Sequence, residues 1–352
     1  MTVELDRIAH GSLEESSIGK IDGYFEHYKS FCARFGLPVY LNTDTLQDTK
    51  AAAAQGRLFV LYELGNFQQK AKSVNAKLWA VDKMHEANNM NPPFAENRSL
   101  KRFMSNAMAR DKPAIPKVPI TQRQMDALEE MLNLKQRSAY TFWIGLRFAI
   151  CFLCRISEWA MGEKHTVKWK YITFLDAQGR AVDLRSLDQL PLLKEMEVVF
   201  WSDKTHTPGT GVVRNWHCIE DLDDNKCLVR DMARLWLMSE QIPELEVFTW
   251  DNGTKGVKRA QVCSLLKKAA VKVGIPAADT ASHSARITGL SQLMSKGKVP
   301  FYVAREWGRW QSDCAKRYWW ASADMAKEFC KAIWEPGAYA RARGEGEVQR
   351  YR

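Results

Sequence analysis

The sharpest local feature of the sequence is His283-Ser284-Ala285-Arg286, which follows Asp279-Thr280-Ala281-Ser282 at the expected start of a helix. Residues three apart share a helix face, so one surface can present the imidazole and the guanidinium together. Downstream lie Trp307-Gly308-Arg309-Trp310-Gln311-Ser312-Asp313 and then Arg317-Tyr318. Upstream lie Cys154-Arg155-Ile156-Ser157-Glu158 and Ser202-Asp203-Lys204-Thr205. These residue types make an anion-binding and proton-moving set. Guanidiniums hold oxyanions with fixed, bidentate hydrogen bonds. An imidazole changes charge near neutral pH. A phenol, with a pKa of about 10, attacks only where its proton is removed and its charge is stabilised.

The elements that must position these groups read as follows. The first 110 or so residues are expected to be all-helical, with helices over 18–35, 51–65, 67–87 and 100–110. Ile21, Tyr24, Phe25, Tyr28 and Phe31 repeat at helical spacing, and Gly36-Leu37-Pro38 stops that run. The span 111–119 holds Pro113, Pro116 and Pro119 and reads as an extended linker. Thr121 is an expected N-cap for a helix carrying Met125, Leu128 and Leu132. A helix is expected from about Tyr140 to Met161. Segments 169–174 and 181–184 flank Asp176-Ala177-Gln178-Gly179 as one hairpin. Segments 195–201 and 211–218 form a second, with Lys204 in its tip. Residues 245–249 read as a further short strand. Helical patterns resume near 227–239, 257–273, 283–295 and beyond 299. The tail 337–352 is small and polar and reads as mobile.

Length and composition bound the answer. The chain has 352 residues, which suggests about two domains. It carries 51 Lys plus Arg against 41 Asp plus Glu, a formal excess of +10. The first 110 residues hold 14 basic and 12 acidic side chains, or +2, so the remainder carries +8. Such an excess favours a polyanionic partner. The N-terminus mixes both charge signs and has no signal-peptide pattern. The apolar run 140–156 is interrupted by Arg147 and Arg155 and reads as a buried helix, not a membrane span. The 8 Cys read as reduced thiols of an intracellular protein, several of them in the core. His217-Cys218 has no second pair at metal-ligand spacing, and Cys151 and Cys154 lie in an apolar setting, so no metal site is expected. His206 reads as a solvated loop residue.

In this order, R-x-S-E, a Lys in a hairpin turn, H-x-x-R, G-R-W and a following Tyr resemble the tyrosine recombinase (phage-integrase type) family. The form G-R-W-Q-S-D followed by A-K-R-Y is similar to members encoded by mobile elements and transposons. Trp310 stands where many members carry His. The resemblance implies a mainly α fold with small β-hairpins (α+β): a helical core-binding domain over 1–110, the linker 111–119, and a mixed catalytic domain over 120–336 that ends in a docking helix. The two domains would form a C-shaped DNA clamp.

The implied activity is site-specific recombination or integration through a covalent 3′-phosphotyrosine, with no metal or other cofactor. Tyr318 would be the nucleophile, with Tyr302 the other local candidate. Arg155 and Arg286 would clamp the phosphate, although Arg155 also fits a plain helix cap. Trp310 would add an N–H donor and a packing face. His283 would accept the tyrosine proton, and Lys204 would protonate the leaving 5′-oxygen. Glu158 would orient a neighbouring basic group. Lys267, Lys268, Lys298, Arg305, Arg309 and Arg317 would line the DNA path. The expected partner is double-stranded DNA with paired inverted-repeat sites, bound by a homodimer to homotetramer, with no membrane. The compartment would be the nucleus of a eukaryotic host, or the cytoplasm or nucleoid of a bacterial one. Two alternatives share the chemistry or the clamp: a type IB topoisomerase-like relaxing enzyme and a non-catalytic domesticated DNA-binding protein.

Overall fold

The computed structural model describes residues 15–112, 116–163, 165–201, 211–218, 227–295, 297 and 299–318, apart from the side chains of 15–17, 317 and 318. The chain separates into two compact units, 1–114 and 115–352. Among the described residues no helix is long and apolar enough to cross a membrane.

The first unit is helical. Its elements are α1 (Glu15–Phe35), α2 (Leu46–Phe67), α3 (Ala71–Ala87) and α4 (Arg98–Ala109). Local chemistry sets several of these ends. After α1, Gly36 takes a φ of +63°, and the Leu37 N–H closes on the Cys32 carbonyl at 2.9 Å. Thr45 and Asp48 form a reciprocal capping box at the start of α2. Asn97 caps α4 through the Leu100 N–H. Tyr28, Phe31, Phe59, Phe94 and Leu100 fill the core.

The stretch expected as a linker is tied down where it is described. The Asp111 carboxylate accepts from the Ala71 and Lys72 N–H groups at the start of α3. Within the second unit, the Val118 N–H donates to the Asp279 carbonyl, and the Ile120 N–H to Thr288 Oγ1 at 2.7 Å.

The second unit holds α5 (Gln122–Met131), α6 (Arg137–Cys151), α7 (Leu228–Met238), α8 (Arg259–Lys272), α9 (Ser284–Ser295) and α10 (Phe301–Trp307). Thr121 caps α5 through the Gln124 N–H. Strands β1 (Ile172–Leu175), β2 (Glu195–Phe200) and β3 (Val212–His217) form an antiparallel sheet in that order. Strands β4 (Thr249–Trp250) and β5 (Lys255–Gly256) form a separate pair. The core runs through Phe142, Phe148, Phe152, Trp159, Met196 and Phe248.

The first expected hairpin forms in a short version: the Asp176 N–H donates to the Arg180 carbonyl at 3.0 Å, the Val182 N–H to that of Phe174 at 2.9 Å, and Leu175 bridges Ala181. The longer ladder of β1 is with β2, whose Met196 and Val198 face the core. One expectation is corrected here. Helix α6 does not continue to Met161. It ends at Cys151, ten residues earlier.

Candidate active site

The end of α6 creates the site. Leu153 takes a left-handed conformation, φ +50°, and the Cys154 N–H reaches back to the Ala149 carbonyl at 2.8 Å. This is a Schellman-type ending built on leucine instead of glycine. A left-handed non-glycine residue costs about 1 kcal/mol or more and needs surrounding structure to hold it. Here Leu153 is fully buried against Leu290, Ala304 and Trp310. The last carbonyls of α6 find partners far along the chain. Trp307 Nε1 donates to the Cys151 carbonyl at 2.9 Å, and Arg309 Nη1 to that of Phe152 at 3.1 Å.

The chain then extends through Arg155 into a short 3₁₀ turn, Ile156–Glu158. Glu158 Oε2 accepts from the Arg155 backbone N–H at 2.8 Å, and Oε1 from Arg155 Nη1 at 3.1 Å. Arg309 Nη2 donates to the same Oε2 at 2.6 Å. Glu158 therefore orients two guanidiniums at once.

Helix α9 supplies the other half. A Cβ on Gly289 would overlap the Ile150 carbonyl and the Leu153 side chain, so only glycine allows α9 this close to the end of α6. That approach places Arg286 beside Glu158. Arg286 is 1% exposed; its Nη2 donates to the Gly308 carbonyl, and its guanidinium lies 4.0 Å over the Trp310 ring. Cation–π contact of this kind holds a guanidinium in plane. Gly308 is also required, because a Cβ there would enter the Trp310 ring.

Arg286 keeps two buried donors in reserve. Its Nε and Nη1 have no hydrogen-bond partner among the described residues. Buried donors without partners cost about 1–3 kcal/mol each unless a ligand accepts from them. The charges agree with an anion. Three guanidiniums, Arg155, Arg286 and Arg309, surround the single Glu158 carboxylate, leaving a formal excess of two positive charges. Burial pushes the Arg286 guanidinium down to about 9, and Arg155 and Arg309 add to the fall while Glu158 opposes it. It stays charged at neutral pH. Burial by itself would raise the Glu158 carboxyl, but Arg309, Arg286 and Arg155 hold it below its ordinary range.

His283 immediately precedes α9, and its carbonyl accepts the Ile287 N–H. Burial lowers its pKa to about 4, helped by Arg286 and Arg155. The imidazole is therefore neutral at pH 7, the form that accepts a proton. Lys204 lies outside the described residues; β2 and β3 lead to its hairpin through the Phe200–Val212 pair. Tyr318 ends the 3₁₀ helix Asp313–Tyr318, and its side chain lies outside the described residues. That short helix is anchored by fully buried Ala315, which shares a cluster with Leu153 and Trp310. Arg305 ties it to α10 through Asp313 at 3.2 Å.

The cations expected along the DNA path divide. Lys267 and Lys268 are exposed on α8. Arg305 is engaged with Asp313 and Glu306. Lys298 and the Arg317 side chain lie outside the described residues. Arg309 differs from these: it is 2% exposed, paired with Glu158, and packed 3.8 Å over the Phe200 ring.

A scan against protein-family models finds no match, and no curated protein matches significantly. Solved structures do. The Tn1549 transposon integrase, in complex with circular intermediate DNA, is 14% identical, with 94% of this chain and 98% of that chain covered at a TM-score of 0.50. A lambda integrase dimer bound to a COC′ core site is 13% identical, with 90% and 92% covered at 0.52. The fold is that of a tyrosine recombinase.

Within that recombinase fold, sequence reasoning missed two supporting residues. Arg309 sat inside the G-R-W segment, yet its burial had no local signal. Arg214 of β3 had none at all. It donates through Nε to the Trp307 carbonyl at 3.3 Å and through Nη2 to that of Glu306. It also lies 5.7 Å over the Trp307 ring. These bonds tie the strand returning from the Lys204 hairpin to the end of α10, just before Trp310.

Proposed function

We propose that this protein cleaves and rejoins DNA through a covalent 3′-phosphotyrosine, as a site-specific recombinase or integrase. The observation that carries the reading is the pair of buried Arg286 donors that have no partner among the described residues, amid an excess of positive charge. A phosphodiester presents two non-bridging oxygens, and attack by a phenol increases the charge on them. Arg286 and Arg155 receive that charge from fixed positions, so little reorganisation is needed as it develops. Trp310 supports Arg286 from below and offers an indole N–H.

Tyr318 attacks the phosphorus, and neutral His283 takes the phenolic proton. Lys204 gives a proton to the departing 5′-oxygen. One phosphodiester is exchanged for a phosphotyrosine bond of similar energy, so no external energy source is required. The reverse attack by a 5′-hydroxyl of a second strand completes strand exchange. Both DNA-bound integrases of similar fold act as precedents for duplex DNA as the substrate. Paired inverted-repeat sites and assembly of two to four copies belong to the same reading.

The test begins by selecting bound duplexes from a random pool. A nicked suicide substrate built on the selected site should trap a covalent protein–DNA adduct with the natural chain and none with Tyr318→Phe. An adduct that persists in Tyr318→Phe would refute the nucleophile. Relaxation of supercoils with no sequence preference would instead point to a topoisomerase-like enzyme. Specific binding with no adduct would identify a non-catalytic binder.

A further inference from the structure

Outside the candidate active site, two thiols lie together. Cys218 follows β3 directly, and Cys227 is the N-cap residue of α7. Their sulfurs are 3.2 Å apart. Cys227 is buried at 5% exposure, whereas Cys218 is half-buried and opens the pair towards solvent. The Cys218 thiol also reaches the Leu193 carbonyl at 3.3 Å.

We propose that Cys218 and Cys227 are a modification site: a dithiol that a peroxide oxidises reversibly to a disulfide. Two independent features carry this. The first is the sulfur separation, from which a bond needs a further approach of roughly 1 Å. The second is the asymmetry of the two environments. The Cys227 thiol donates to the Cys218 sulfur, and the Cys218 thiol donates onward to the Leu193 carbonyl. The Cys218 contact and, against the cost of burial, the Arg230 and Val229 backbone N–H groups at the start of α7 favour the Cys227 thiolate. The Cys227 contact and burial raise the Cys218 thiol, while Arg230 and Lys194 supply positive charge nearby. Cys151 differs, because burial pushes its thiol up to about 12.

The chemistry balances. The Cys227 thiolate attacks one oxygen of hydrogen peroxide; the O–O bond breaks and hydroxide leaves, taking a proton from solvent to become water. Cys227 is then a sulfenic acid, oxidised by two electrons. The Cys218 sulfur attacks the Cys227 sulfur, its proton and the sulfenic hydroxyl leave as a second water, and the S–S bond forms. The bridge staples the end of β3 to the start of α7. The proposal does not depend on DNA cleavage.

The full chain should be treated with hydrogen peroxide, alkylated, and analysed by intact mass and peptide mapping. The expected result is a mass loss of two hydrogens, one cross-linked 218–227 peptide, and full reversal by a dithiol reductant. Closing this short loop should raise Tm by roughly 5 °C. Cys218→Ser and Cys227→Ser should each abolish the cross-link. Mapping of the natural chain is decisive even if a variant folds poorly. Alkylation of both thiols after peroxide treatment would overturn the proposal. So would over-oxidation of Cys227 without a cross-link, or a stoichiometric zinc ion that protects both thiols.

Discussion

Glu158 and Arg309 form an ion pair at 2.6 Å in which neither side chain is more than 1% exposed. The same carboxylate holds Arg155 at 3.1 Å. The buried carboxylate therefore acts as a hub, setting the direction of Arg155 and of Arg309, which ties two segments together.

Removing the hub should be costly. Breaking a buried pair leaves an uncompensated charge, typically about 3–5 kcal/mol. Glu158→Gln leaves three guanidiniums around a neutral amide, so we expect a loss at the upper part of that range by urea unfolding. Arg309→Met should cost less, because Glu158 keeps Arg155 and Arg286 nearby. Equal losses for the two variants would contradict the hub.

Arg286→Lys should not rescue Arg286→Ala. A lysine ammonium lacks the planar fork that fits two oxygens and stacks on Trp310. Both variants should lower the rate of covalent adduct formation by about 10²–10³-fold. DNA affinity should change far less, since phosphates elsewhere supply most of it. Adduct formation under single-turnover conditions, beside a binding titration, separates the two effects.

Gly308→Ala tests the close approach to Trp310. A methyl group there displaces the indole from beneath Arg286. Overpacking of this type costs about 1–3 kcal/mol. The adduct rate should fall together with stability, and a Gly308→Ala protein of unchanged Tm and unchanged rate would sink the idea.

Stability should fall on the acid side through His283. Its folded pKa of about 4 lies below the usual 6.5, so the unfolded chain takes up the proton first. Above pH 6.5 the group contributes nothing; between about 6.5 and 4 stability drops. His283→Gln removes that slope. Between pH 7 and pH 5 the natural chain should lose about 2 kcal/mol more than the variant. The check is a pair of denaturant titrations at each pH.

Arg214→Ala should act through geometry. The variant loses the bonds from β3 to the end of α10, so the strand that follows the Lys204 segment is no longer held against the segment leading to Trp310. We expect about a tenfold slower adduct rate with unchanged DNA affinity. A substrate whose 5′-oxygen is replaced by a better leaving sulfur should recover most of that rate, because it needs less help from Lys204. A purely structural role predicts no such recovery.

Much was legible in the residues alone, and for a local reason. Thr121, Gly36 and the i, i+4 repeats near Phe25 act through bonds and contacts within one or two turns, so their outcomes need no knowledge of distant chain. The candidate residues were proposed from type and order alone. What only the tertiary structure decided is that Arg155, Glu158 and Arg286 lie together. The apolar pattern of α6 continues beyond Cys151, yet the helix stops because Trp307 and Arg309, more than 150 residues later, take its last carbonyls. The same bonds bury Arg309, which by composition alone looked like one more surface cation. Strand β1 keeps only a short local pairing with 180–182 and makes its longer ladder with β2, which brings buried Met196 and Val198 to the core. Local signals mark where elements begin; the burial available to them elsewhere in the fold decides where they end and what they face.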